Sequence, residues 1–333
     1  MTPHPFAPFV AALGRGKKAS RALTLEEAEA AMAMILEDRV EDVQLGAFLM
    51  LLRVKEESGD EVAGFVRAIR ARCGAPADFP AVDLDWSSYA GKRRHLPWLL
   101  LAAQLLAHNG VRVLMHGAEG HTAGRIYLKD ALEYLGLPVA ADYGAAAEGL
   151  RAHHFAYLPL EAISPRLKAL IELRPLFGLR SPVHTVARMI NPARAAASFQ
   201  GIFHPGYLAI HQAAAVALQD PRVVVIRGEG GEAERNPDVD CVVHAALGGQ
   251  AVTETWPALF ARRHIKPAAL DLADLARVWR GEHDDEYGAA AVVATAALGL
   301  WATGRVASPE AAQAQAQAWW EARPRGALLA RVA

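Results

Sequence analysis

The feature that most constrains this chain is a change of hydrophobic period at Gly74. Before it, the apolar residues recur at helical spacing; after it, short apolar runs alternate with helical ones. Thr24 followed by Glu27 is a capping box ahead of the helix predicted over Ala28–Leu36. Val43–Val54 is apolar over a helical length, and Asp60–Arg72 sets Val62, Phe65, Val66 and Ile69 on one face. About seventy residues of helix bury too little surface to stand alone. They are expected to dock on a later part of the chain or on a second copy.

Beyond a Pro- and Asp-rich hinge at 74–85 the pattern predicts a strand near 82–85 and a helix over Pro97–His108, closed by Asn109-Gly110. A strand over Val111–Met115, a helix over Lys129–Leu135 and a strand over Phe155–Leu158 follow. Arg222–Ile226 (RVVVI) reads as a buried strand, Cys241–Ala245 and Gln250–Thr255 as two more, and 287–302 and 309–322 as long helices. This alternation predicts an α/β fold: a small all-helical domain plus a larger α/β domain with a central, mostly parallel sheet. The helical, basic, proline-interrupted stretch 164–189 is assigned to the small domain. The expected division is 1–75 with 163–190, and 76–162 with 191–333.

Composition excludes several classes. At 53% hydrophobic the 333-residue chain is not disordered. Cys73 and Cys241 make no CxxC motif. The apolar run Ala289–Trp301 is short of a membrane span, and the first residues lack a signal-peptide pattern, so a cytoplasmic protein without a membrane partner is expected. The net charge of −1 hides a partition. Residues 86–129 hold six basic side chains against one acid, and residues 151–200 hold seven against two, whereas residues 23–85 hold fourteen acids against six bases.

Three loops follow predicted strands, where open α/β sheets bind ligands. Ser87–His95 (SSYAGKRRH) sets a glycine among cations and hydroxyls, suited to phosphate. Met115–Thr122 (MHGAEGHT) offers His116, His121 and two glycines; two histidines alone make a weak metal site. Arg227–Pro237 (RGEGGEAERNP) clusters Glu229, Glu232 and Glu234, which could hold Mg²⁺ or pair with Arg227 and Arg235. The insertion adds Arg166, Lys168, Arg174, Arg180, Arg188 and Arg194, opposed after residue 161 by Glu172 alone.

The order of these loops resembles the anthranilate phosphoribosyltransferase-like superfamily (glycosyltransferase family 3, related to the nucleoside phosphorylases). LTLEEAEAAMAMIL, LGAFLMLLRVK and EVAGFVRAIR are similar to its N-terminal helices, and RPLFGLRSPVHTVARMINPA at 174–193 to its R-x-x-L-G-x-R-T-x-x-N-x-x-G-P-x-x-N-P-A segment. The resemblance implies a cleft between the two domains and a homodimer formed through the helical one. It also sharpens the departures. Ser88–Arg94 stands for the family's G-T-G-G-D turn, Met115–Glu119 for K-H-G-N-R, and Glu232-Ala233 for the Asp-Glu pair that places Mg²⁺. Arg174 matches the family's arginine, while His184 and Arg188 replace an asparagine and a proline.

The departures, with GRGKKASRALT and GEGGEAERNP, resemble a divergent, YbiB-like branch associated with nucleic-acid binding and without the transferase activity. The expectation is a homodimer binding single- or double-stranded nucleic acid without sequence specificity. Its contacts would be Lys92, Arg93, Arg94, Arg166, Lys168, Arg174, Arg180 and Arg188. A residual phosphate or substrate pocket would comprise Ser88, Gly91, His116, Gly117, Thr122 and Arg174, and Glu232 with Glu234 would be the metal ligands. No cofactor is expected on that reading. The alternative is an active glycosyl- or phosphoribosyltransferase, using Mg²⁺ for pentosyl transfer to an anthranilate-like or other acceptor.

Overall fold

The computed structural model describes residues 2–16, 18–120 and 122–331. Four helices open the chain: α1 (Ala7–Gly14), α2 (Leu25–Leu36), α3 (Asp42–Lys55) and α4 (Gly59–Cys73). The capping box of α2 is complete. Glu27 N–H donates to Thr24 Oγ1 at 3.2 Å, and Thr24 N–H donates to the Glu27 carboxylate at 3.0 Å. Ser58 and Glu61 repeat the arrangement at α4.

The α/β part then runs β1 (Leu84–Ser88), α5 (Leu99–His108), β2 (Val113–Gly117), α6 (Leu128–Tyr134), α7 (Tyr143–His153) and β3 (Phe155–Pro159). Four short helices follow, broken where proline removes a donor: α8 (Leu160–Ile163), α9 (Pro165–Glu172), α10 (Arg174–Phe177) and α11 (Val183–Val186). The chain returns through β4 (Ala197–Ile202), α12 (Gly206–Ala217), β5 (Arg222–Arg227), β6 (Cys241–Leu247) and β7 (Gln250–Trp256). It closes with α13 (Ala273–Arg280), α14 (Glu286–Thr303) and α15 (Pro309–Ala322).

The seven strands lie in the order β3-β2-β1-β4-β5-β6-β7. The first five are parallel, and β6 runs antiparallel to both β5 and β7. The chain moves outward from β1 to β3, then re-enters on the other side of β1 as β4. That reversal opens a crevice beyond the carboxyl ends of β1 and β4.

The pleat separates two cores. Val113, Met115, Val224 and Ile226 face one with α5, α14 and α15; Leu114, Val223 and Val225 face the other with α12. The N-terminal helices extend this second core, since Phe48, Phe65 and Ile69 share it with Leu158 and Val223. The helical segment therefore docks within its own chain. A buried ion pair fastens it there. The Arg70 guanidinium of α4 bonds both carboxylate oxygens of Asp220 at 2.6 and 2.9 Å, and the carbonyls of Met189 and Ile190 at 2.9 and 2.8 Å. Removing one partner of such a pair typically costs about 3–5 kcal/mol.

The first strand runs 84–88 rather than 82–85, because Ser87 and Ser88 are buried despite their polarity. The run Ala289–Trp301 lies inside α14, whose residues are mostly buried. Among the described residues no helix is long and apolar enough to cross a membrane.

Candidate active site

The loops after β1, β2 and β5 meet at the crevice. β1 and β2 end side by side, with Ser88 paired to Gly117. A Cβ at 117 would lie 2.1 Å from Ser88 O, so only glycine lets these strand ends close. The preceding His116 is fully buried and points inward. Its Nδ1 is 2.8 Å from the Tyr89 hydroxyl, and its Nε2 is 3.2 Å from Asp85 Oδ1. From Asp85 a polar chain continues beneath the crevice: Ser198 Oγ donates to Asp85 Oδ2, Gln200 Nε2 donates to Ser198 Oγ, and His211 Nδ1 contacts Gln200 Oε1 at 2.8 Å.

The proline-broken insertion forms the opposite wall. Arg174 donates to Thr122 Oγ1, and Arg180 Nη2 reaches the same hydroxyl at 3.2 Å. Burial, then the charges of Arg188, Arg174 and Arg125, lower Arg180 to about 10. Arg188 is 7% exposed; its Nε donates to Gly201 O at 3.0 Å and another guanidinium nitrogen donates to His184 O. Between this wall and β4 lies a cavity of about 90 Å³, lined in part by Arg180, His184, Arg188 and His211. Arg53 of α3 and Glu57 of the turn before α4 reach it, bonded to the Tyr207 hydroxyl at 3.1 and 3.0 Å.

The third loop is locked to the first. Glu232 Oε1 accepts from the backbone N–H of Ala90 at 2.6 Å and of Gly91 at 2.5 Å. Lys92, 1% exposed, donates to Glu234 Oε1 at 2.5 Å, and Glu234 Oε2 accepts from Leu99 N–H at 2.8 Å. Burial pushes the Glu234 carboxyl up to about 7, against the pull of Lys92. Arg125 Nη1 bridges the carbonyls of Ala90, Gly91 and Gly230 at 2.9–3.0 Å. A larger cavity of about 290 Å³ lies elsewhere, by Trp98 and His264. Asp271 and Asp274 on its wall are paired with Arg277, and Glu286 with His264.

The fold thus gathers Thr122, Arg174 and Arg180 into one cluster, and pairs Ser88 with Gly117 at the strand ends. It buries His116 below them. Gly91 is brought into the crevice with its amide already engaged. His121 lies outside the described residues. Arg125, Asp85 and His211 belong to the site and carry no motif signal; only their positions in the fold reveal them.

Two family descriptions fit these two parts of the chain. Residues 8–73 match the glycosyl transferase family helical bundle domain, and residues 99–322 match the glycosyl transferase family a/b domain. The chain belongs to this glycosyl transferase family. Anthranilate phosphoribosyltransferase of Prochlorococcus marinus (strain NATL1A) is 30% identical over 64% of this chain and 62% of its own length, so the match spans less than two thirds of that relative. YbiB of Escherichia coli (strain K12) is 29% identical over 68% of this chain and 71% of its own.

Among solved structures, anthranilate phosphoribosyltransferase from Thermus thermophilus superposes with a TM-score of 0.76 at 24% identity, over 94% of each chain. The Saccharomyces cerevisiae enzyme in complex with PRPP and Mg gives 0.77 at 14% identity, over 96% of this chain and 94% of that one. At these identities the superpositions show the shared fold.

The anthranilate phosphoribosyltransferases among these relatives overturn the nucleic-acid reading and favour the transferase alternative. The side chains assigned to a polyanion are largely spent within the protein. Lys92 is buried on Glu234, and Arg188 is buried on backbone carbonyls. Arg166 pairs with Asp38, and Lys168 pairs with Glu172. Arg180 lines a cleft rather than a convex face, and Arg174 is bonded to Thr122 beside it. Arg93 and Arg94 are exposed. Two exposed cations beside a row of neutralised ones do not make the continuous basic track that phosphate backbones require.

Magnesium accompanies PRPP in the yeast relative, and the carboxylates here do not fit it. Glu232 is bound to two amides, and Glu234 is neutralised by a lysine at 2.5 Å. Among the described residues no group of three or more His, Cys, Asp or Glu side chains is placed to hold a metal ion.

Proposed function

We propose that this chain is a pentosyltransferase of the family. It takes a phosphorylated pentosyl donor into the crevice and transfers the pentosyl group to an acceptor bearing its own anionic group, such as an anthranilate-like carboxylate. The observation that carries this reading is the convergence of Arg174 and Arg180 on Thr122, where burial, then the charges of Arg188, Arg174 and Arg125, lower Arg180. Mutually repelling, half-buried guanidiniums are held at a cost that an anionic ligand repays.

The chemistry follows from that charge. The bond from the anomeric carbon to the leaving phosphoryl oxygen breaks with its electron pair moving to that oxygen, the acceptor's lone pair forms the new bond, and the proton the acceptor gives up passes to the released phosphoryl anion or to solvent. Guanidiniums already aimed at the leaving anion stabilise the charge as it develops, and such contacts are typically worth about 2.7–4 kcal/mol each. The walls of the crevice come from both domains, with Arg53 and Glu57 contributed by the helices, so docking of the bundle completes the site.

Calorimetry with phosphoribosyl pyrophosphate, with and without Mg²⁺, tests the donor, and release of diphosphate in the presence of anthranilate tests transfer. We expect binding to the native protein and a loss of tenfold or more in Arg174→Ala and in Arg180→Ala. Absence of donor binding and of diphosphate release by the native protein would refute the reading.

Pairing of two copies through the helical domain belongs to the same proposal. Val43 on α3 and Leu176 on α10 are 81% and 80% exposed, and the two helices are neighbours where Gly46 faces Phe177. Apolar side chains that stand this far out, on neighbouring helices, suit a second apolar face.

A further inference from the structure

Ala90 and Gly91 present two successive backbone N–H groups into the crevice, with Gly91 at φ +69°. Consecutive amides in such a turn form a concavity that binds anions. The concavity is already filled, because Glu232 Oε1 accepts both N–H groups and the side chain is 1% exposed. Its second oxygen, Oε2, is buried without a partner. A ligand anion would satisfy more of its oxygens here than this carboxylate does.

We propose that Glu232 is a built-in plug: its carboxylate occupies the anion cradle of the β1 loop, and a phosphoryl or diphosphoryl ligand enters that cradle only by displacing it.

The backbone around Glu232 is fixed, so displacement is a side-chain rotation. A Cβ at Gly201 would lie 2.1 Å from Glu232 C, and one at Gly228 only 1.5 Å from Glu232 O, which shows how closely this backbone is packed. Arg125 holds the other side by clamping the carbonyls of Ala90, Gly91 and Gly230. The cradle therefore keeps its shape when the carboxylate leaves. A place for the displaced charge exists, since Arg188 lies close enough to feel Glu232 electrostatically. The plug explains how the site can retain a cradle-shaped loop and yet hold the crevice closed to stray anions. It rests on the pentosyltransferase reading only for the class of ligand.

The probe is inorganic pyrophosphate, so the test does not depend on turnover. Glu232→Ala is expected to bind it at least tenfold more tightly than the native protein, with Glu232→Gln between them. Titration of ¹⁵N-glycine-labelled protein should move the Gly91 amide signal in Glu232→Ala and leave it unmoved in the native protein. Unchanged or weaker binding in Glu232→Ala would overturn the proposal, as would tighter binding that leaves Gly91 unmoved, which would trace the gain to Arg188 alone. Should Glu232→Ala fail to fold, Glu232→Gln decides: a gain of threefold or more with Gly91 moving supports the plug, and no gain rejects it. Absence of transfer by the native protein, with these results intact, would reject the enzymatic reading and leave the plug standing.

Discussion

At the scale of single residues the site is a set of charges held away from their ordinary states. His211 is buried beneath the crevice, and burial together with the nearby Arg188 charge lowers it to about 3. An unfolded chain takes up a proton on this histidine near its ordinary value of 6.5, whereas the folded chain does not until about 3. Its contribution to stability is therefore present above pH 6.5 and lost as pH falls through that window. At 1.36 kcal/mol per unit, acidification from pH 6.5 to 5 removes about 2 kcal/mol. His211→Gln should lose less stability than the native protein between pH 7.5 and 5 in thermal melts; equal losses would contradict the assignment. Sequence showed which residue types were present and not whom they would meet. Glu232 and Glu234 stood out as clustered acids, but their partners at Ala90, Gly91 and Lys92 lie more than a hundred positions away. A basic residue drawn into a buried pair reads in sequence just like one facing solvent. Lys92, buried on Glu234, is one such residue, and Arg188, buried on backbone carbonyls, is equally silent.

At the scale of elements, legibility follows periodicity. The helix α2 announces itself through a capping box, α4 through the apolar face of Val62, Phe65, Val66 and Ile69, and β5 through an unbroken apolar run. The strand β4 (ASFQGI) did not, because Ser198 and Gln200 are buried polar side chains that point into the chain leading to Asp85. A strand that carries part of a site breaks its own hydrophobic pattern. Close approach of elements is equally silent in sequence. At Gly64, where α4 crosses α2, an added Cβ would sit 2.2 Å from Leu25 O and 2.7 Å from Ala28 Cβ. Gly64→Ala should therefore destabilise by about 2 kcal/mol, since the helices must separate. Gly206, at the first turn of α12, has nothing within 4 Å of an added Cβ. Gly206→Ala should leave the melting temperature unchanged or raise it slightly. Similar shifts in both variants would argue against steric contact as the cause.

At the scale of the whole molecule, two domains and a mostly parallel sheet were readable because a switch from helical to alternating period is a long-range signal. The reversal of strand order at β1 and β4, which sets the crevice, is not written in any local pattern. Nor is the meeting of α3 with α10, where Gly46 faces Phe177. If that face joins two copies, sedimentation at tens of micromolar should give a dimer, and Val43→Glu with Leu176→Glu should give a folded monomer. A native protein that sediments as a monomer at that concentration would remove the pairing from the proposal.

The clasp between Arg70 and Asp220 bears on how such a molecule comes apart. It lies where the N-terminal helices, the turn before β4 and the junction of α12 with β5 converge. Separating the bundle from the sheet breaks this pair and both carbonyl contacts at once. Heat or denaturant should then meet one cooperative unit rather than a fragile bundle riding on a robust sheet, and the crevice should persist until the entire fold is lost.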